Sequence, residues 1–222
     1  MMDCTDKFQF IFNHPATVMI GGPSKSGKTY LTLKMLKANQ IIFNKPPTKI
    51  VYCYTRFQDK YKELDDVLPK IEFVQGLPET EIFDPNENNL VILDDLMSEC
   101  GEDLRIKNLF TIDSHHLNIS VFYLCQNVFN NNKNSRTIRL NSDYMIILNN
   151  PKDRAQFQFL FRQLFPKSHK FLHECYEDAV ESKKYGYLFL DLTQEVDNSY
   201  RVQSQFDFDD TNEIKRIIYK LK

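Results

Sequence analysis

Four residues near the start of the chain, Gly22, Gly27, Lys28 and Thr29, stand in the spacing G-x-x-x-x-G-K-T within "MIGGPSKSGKTY". Glycines at that separation let the backbone curl until successive N–H groups point inward, a concavity suited to phosphate oxygens. A helix starting at the lysine adds its positive N-terminal dipole. In such a loop Lys28 reaches the β- and γ-phosphates of a nucleotide, and the Thr29 hydroxyl ligates Mg²⁺. Residues 22–30, with Pro23, Ser24, Lys25, Ser26 and Tyr30 filling out the motif, are the candidate ATP site. Lys25 reads first as a solvated loop lysine and only second as a phosphate contact.

The acids come later, in "LVILDDLM", where four apolar residues deliver Asp94 and Asp95 to the end of a buried strand. A carboxylate at that place holds the Mg²⁺ water shell, which assigns Asp94 to the metal side. Asp95, one residue on, can polarise an attacking water as general base. The plain alternative is a pair of acids that only ends a strand. Gln126 closes "SVFYLCQ" and can hydrogen-bond both a lytic water and a phosphate oxygen. Asn127 beside it is the weaker candidate.

Beyond Gln126, "NVFNNNKNSRTIRLNSDY" is polar and Asn-rich, with Lys133, Arg136 and Arg139 and no acid before Asp143. It reads as a basic loop that lends an arginine to a neighbouring subunit or touches DNA phosphates. Arg136 and Arg139 in this loop, and Arg154 at the start of the helix after the fifth strand, are the finger candidates, each with the alternative of a solvated or ion-paired surface residue. His115 and His116 have no Cys or His at ligand spacing nearby, so they read as helix-end residues.

Elements that could position these residues alternate between short apolar runs and helical periodicity, the mark of an α/β fold with a parallel sheet. Strands are expected at 16–22, feeding the loop, and at 48–54, 89–95, 118–127, 143–149 and 184–192. A helix follows from Lys28 with Leu31, Met35 and Leu36 inward, and another covers 102–116. Residues 55–88 are the least legible, a charged helical piece followed by "IEFV" and a polar loop. Pro151 behind Asn150 reads as a first-turn proline, ahead of a helix carrying Phe157, Leu160, Phe161 and Leu164. A further helix starts near Ser168. The tail from Asp210 reads as helical, with Ile214, Ile217, Ile218 and Leu221 at core spacing. The fold class expected is a three-layer α/β sandwich with a mostly parallel central sheet, in the additional-strand class of P-loop NTPases. Residues 1–222 read as one domain, with a core over about 12–192 and a strand/helix appendage over about 193–222.

Bulk properties narrow the function classes. The chain has 222 residues, 42% hydrophobic and 26% charged, with a net charge of −2. No global positive field advertises nucleic acid, so DNA contacts would have to be local. Five dispersed cysteines without a C-x-x-C pair fit free thiols in a reducing compartment, cytoplasm or nucleus. The N-terminus lacks a signal-peptide pattern, and no apolar run reaches membrane-spanning length.

Taken in order, "GGPSKSGKT", "LVILDDLM", "SHHLNISVFYLCQN", "SRTIRLNS" and "YGYLFLDL" resemble the genome-packaging ATPases of the FtsK–HerA superfamily. These occur in poxvirus-like large DNA viruses, virophages and Polinton or adintovirus-type elements, and the last branch is the most similar. The resemblance covers about 12–192. It implies an ATP-driven translocase that pumps double-stranded DNA into preformed capsids as a homo-oligomeric ring, a pentamer or hexamer, beside a capsid or portal component. It carries Lys28 and Thr29 into Walker A, Asp94 and Asp95 into Walker B, Gln126 into the sensor position, and Arg136 or Arg154 into the finger. Such a protein would sit in the host cytoplasm or nucleus, or with the virion. Two positions depart from the pattern: Asp95 stands where many relatives have Glu, and Lys25 where the loop residue is often small or Gly.

Two rivals share the loop. A nucleoside or nucleotide kinase would need a substrate pocket and an Arg-bearing lid, whereas two acids and a Gln-tipped strand favour water as the acceptor. A nucleotide-dependent switch would bind ATP and hydrolyse little. No N-K-x-D or L-S-G-G-Q motif points to a GTPase or an ABC protein.

Overall fold

The computed structural model describes residues 10–65, 68, 70–96, 103–128, 133–152, 154–208 and 214–220. Runs rich in Val, Ile, Tyr and Phe, bounded by Gly, Pro and Asn, form the strands. They are β1 (Thr17–Gly21), β2 (Lys49–Tyr54), β3 (Ile71–Gln75), β4 (Asn89–Asp94), β5 (Ile119–Cys125), β6 (Tyr144–Leu148), β7 (Tyr187–Asp191), β8 (Val202–Phe208) and β9 (Ile214–Tyr219). Among the described residues they make one sheet in the order β3-β2-β4-β5-β1-β6-β7-β8-β9. The junctions from β3 to β6 are parallel, and those from β6 to β9 antiparallel.

Strands β1, β4, β5 and β6 are buried on both faces, as parallel strands covered by helices must be. Alternate residues therefore feed two cores. Val18 and Ile20 pack with Leu31, Met35 and Leu36 of helix α1 (Lys28–Lys37). Met19 faces the other way, into a cluster with Ile106 and Phe110. That cluster also takes Phe157 and Leu160 from a helix over Arg154–Leu164 and Tyr176 from one over His169–Glu181. The result is the expected three-layer sandwich.

Register decides what the sheet presents at its C-terminal end. Gly21 lies opposite Cys125, and Leu124 opposite Asp94, so the tips of β1, β5 and β4 end level. Strand β5 stands between the loop-bearing β1 and the acid-bearing β4, the extra strand expected between the two motifs. No helix of the described residues is long and apolar enough to cross a membrane.

Four local expectations change. The tail is strand, not helix: residues 214–219 form β9, paired antiparallel with β8. Ile214, Ile217 and Ile218 fit a helical spacing, but β-branched residues next to an open sheet edge pair as a strand. The basic segment after Gln126 is not all loop, since Lys133–Leu140 forms a helix, α3. The helix expected at 102–116 is described from Leu104, as α2 (Leu104–Asn108), and then widens into a π-helical turn at Leu109–Asp113. Pro151 stands in a turn before α4 (Arg154–Leu164), where Asn150 Oδ1 accepts from Lys152 N–H at 3.2 Å, so it is not the first helical residue. The next helix, α5, spans His169–Glu181.

Candidate active site

Strand β1 runs straight into the glycine loop, and α1 starts at Lys28 with Gly27 as its N-cap. Gly27 has φ 102°, and Lys25 has φ 66°. Both lie in the left-handed region, open to Gly at no steric cost and costly for other residues. That accounts for the small residue usual where Lys25 stands; its own side chain is exposed. Lys28 Nζ donates to the carbonyls of Gly22 at 2.6 Å and Pro23 at 3.1 Å. Burial pulls its pKa below the ordinary lysine value, while Asp94 and Asp95 act in the opposite sense. Ser26 Oγ is buried in the same loop without a hydrogen-bond partner.

Asp94, at the tip of β4, is only 4% exposed. One of its oxygens, Oδ2, accepts from Tyr52 OH at 2.7 Å, Tyr61 OH at 3.0 Å and Thr29 Oγ1 at 3.2 Å. Burial first, and the Asp94 charge second, push both phenols well above the usual tyrosine value. Both therefore stay protonated and act as donors to the carboxylate. Asp95 turns the chain at φ 57°, a conformation that Asp tolerates better than most residues. Its carbonyl accepts from Thr55 Oγ1 at 2.9 Å, and its Oδ1 accepts from Gln126 Nε2 at 2.8 Å. Asp95 and Gln126 are exposed. Cys125, just before Gln126, is buried, and burial pushes its thiol up to about 12, so it stays neutral.

An open cleft of about 850 Å³ runs from Gln126 and Asn127 past Pro23–Ser26 to Asn149 and Tyr185, with Asp94 and Asp95 outside its lining. None of the three finger candidates lines it. Arg136 is exposed on α3, and Arg154 Nη1 donates to Glu177 at 2.8 Å within its own chain. Arg139 is buried and donates to the Val128 carbonyl at 3.1 Å, which makes it a support for the segment after β5 and removes it from the exposed basic set.

No protein-family model matches the chain, and no curated protein matches it in sequence. Its fold has a solved counterpart: the genome packaging NTPase B204 from Sulfolobus turreted icosahedral virus 2, determined in complex with ATP-gammaS. The match has a TM-score of 0.52 at 14% identity and covers 91% of this chain and 97% of that one. The fold is that of a P-loop NTPase.

Within that fold the structure brings Lys28, Thr29, Asp94, Asp95 and Gln126 to one sheet edge, joined by the Thr29–Asp94 and Gln126–Asp95 bonds; of these Gln126 lines the cleft, as none of Arg136, Arg139 and Arg154 does. Three tyrosines escape a reading by motif. Tyr52 lies in the apolar strand "KIVYCY", where a buried phenol must find an acceptor, and that requirement is the one sequence signal for it. Tyr61 belongs to a short 3₁₀ turn, Asp59–Tyr61, and reaches Asp94 only through the tertiary fold. Tyr185 is fully separate in sequence from the loop it covers: a Cβ at Gly27 would come within 2.9 Å of its ring.

Proposed function

We propose that the chain is an ATPase that translocates double-stranded DNA and packages a viral or virus-like genome into capsids, one subunit of a homo-oligomeric ring. The observation that carries this reading is the meeting of three strand tips. The loop ahead of Lys28 and Gln126 at the β5 tip line one cleft, and the β4 acids join them through the Thr29–Asp94 and Gln126–Asp95 bonds, in a fold shared with nearly the whole of a packaging NTPase. A carboxylate held by an amide beside a phosphate loop suits water as the acceptor better than a sugar hydroxyl.

Thr29 and Asp94 offer oxygen donors to a hard cation, and Mg²⁺ uses one or two such protein ligands with phosphate and water completing its shell. The residues present fit it, and when bound the ion neutralises phosphate charge. Lys28 exchanges its two loop carbonyls for β- and γ-phosphate oxygens. Asp95 takes a proton from the attacking water as its oxygen bonds to the γ-phosphorus and the bond to the β-phosphate breaks. Gln126 orients Asp95 and senses the γ-phosphate. Exposed Arg136 is the better finger candidate, because Arg154 is already held by Glu177.

Phosphate release with and without duplex DNA, alongside a native mass measurement, tests this. DNA should stimulate turnover, Lys28→Ala should abolish it, Asp95→Asn should cut it severely, and the mass should be that of a ring. Normal turnover in Lys28→Ala would overturn the site, and indifference to DNA would overturn the cargo. Mixing Arg136→Ala with Lys28→Ala subunits should restore activity if the finger acts across subunits; no rescue refutes that placement.

A further inference from the structure

The cleft runs on past the phosphate loop to Tyr185, whose ring meets that of Tyr30 beside it. Strands β4 and β5 lie on one side of β1, and β6 and β7 on the other. Asp95 and Gln126 place the γ-phosphate end on the β4–β5 side. A nucleotide threaded through the loop must then send its nucleoside toward β6 and β7. There the cleft is lined by Asn149 at the end of β6 and by Lys184 and Tyr185 ahead of β7.

Tyr30 and Tyr185 are 64% and 46% exposed, too much for core residues. Their ring centroids lie 6.2 Å apart with planes tilted by 39°. A flat heterocycle held between two rings needs about 7 Å, two contacts of about 3.5 Å, so an opening of about 1 Å admits one. Tyr185 is aimed by its turn. It has φ 64°, Gly186 N–H donates to Lys183 O at 2.9 Å, and a Cβ at Gly186 would collide with the Ala179 carbonyl of α5. A bulky residue held in the left-handed region is a marked exception that its surroundings must enforce. Lys184 Nζ stands 5.3 Å from the Tyr185 centroid. In the same lining Asn149 Oδ1 is buried without a hydrogen-bond partner, an acceptor open to a base amino group or a ribose hydroxyl.

We propose that Tyr30 and Tyr185 form the nucleobase site of this cleft, stacking the base of a nucleoside triphosphate whose phosphates lie in the Lys28 loop. The site rests on the ATPase reading given above and deepens it. Stacking recognises the π-face that every base has, so the pair gives affinity with little discrimination among bases.

Calorimetric titration of the full chain with Mg–ATP and with Mg–tripolyphosphate separates the two readings. The wild type should bind ATP more tightly than tripolyphosphate. Tyr185→Ala should weaken ATP by about five- to a hundredfold, the worth of one stacked base, and leave tripolyphosphate unchanged. Tyr30→Ala should act in the same direction, and Tyr185→Phe should bind ATP as the wild type does. Tyr185 is half-exposed, and an unchanged unfolding temperature without nucleotide confirms that the variant folds. Equal affinity of the wild type for ATP and tripolyphosphate would overturn the base site while leaving the phosphate loop standing, as would wild-type ATP affinity in Tyr185→Ala. Binding of neither probe would overturn both.

Discussion

Removing the phenol oxygen of Tyr52 tests whether Asp94 depends on its tyrosine donors. Tyr52→Phe deletes the 2.7 Å bond to Asp94 Oδ2 and leaves the ring against Tyr61, at 4.7 Å between centroids, and Phe73. Packing is therefore conserved and the hydrogen bond isolated. Hydrogen bonds to charged groups contribute about 1.5–3 kcal/mol. The upper half of that range applies, because the carboxylate is buried and, among the described residues, keeps Tyr61 and Thr29 as side-chain donors. In a chain of this size each 1 kcal/mol lowers the unfolding temperature by about 2–4 °C, so Tyr52→Phe should unfold about 4–12 °C lower. A carboxylate freed of one tether also holds Mg²⁺ less well, so the Mg²⁺ concentration for half-maximal ATPase should rise. The assays are calorimetric unfolding of the free chain and a Mg²⁺ titration of turnover, with Tyr61→Phe in parallel. Since both phenols share one oxygen, the double variant should cost more than the sum of the singles. An unchanged unfolding temperature and Mg²⁺ dependence in the double variant would refute the reasoning.

The same phenols set an alkaline limit. Their raised pKa values mean that the unfolded chain loses protons above the ordinary phenol value of 10.0 while the folded chain keeps them. The unfolded state then binds fewer protons, so stability falls as pH rises past 10, by about 1.4 kcal/mol per pH unit for each retained proton. Denaturant midpoints should drop above that pH and drop less steeply in the double Phe variant; parallel curves would contradict this. At the loop, Gly27→Ala places a side chain at φ 102° and within 2.9 Å of the Tyr185 ring. The backbone cost alone is about 1–2 kcal/mol, so the variant should unfold about 2–8 °C lower and lose ATP affinity. Wild-type values for both would show that the loop relaxes freely.

What could be read in the sequence follows from how local each feature is. The loop, the acid pair and the Gln tip are each encoded within a few residues at a strand end, and a parallel sheet with level C-terminal edges brings them together. The tyrosine donors are not local. Tyr61 lies 33 residues from Asp94, inside the stretch with the weakest pattern, and nothing in its neighbours marks its partner. The Asn-rich segment misled in another way. Helix α3 buries Asn134, Ser135 and Arg139 beside one isoleucine, Ile138, so its inward face carries no apolar stripe to announce a helix. The tail failed because Ile214, Ile217 and Ile218 satisfy both periods over so short a run, and the free edge of β8 settled the choice.

The bond between Asp95 and Gln126 ties the tips of two neighbouring strands together. An ionised carboxylate has about four acceptor sites, so one amide N–H fixes where the acid points without using it up. The direction of Asp95 is therefore set by the spacing of β4 and β5. Any change that parts the two tips would be felt first in this bond, which makes one amide a gauge of the sheet's edge.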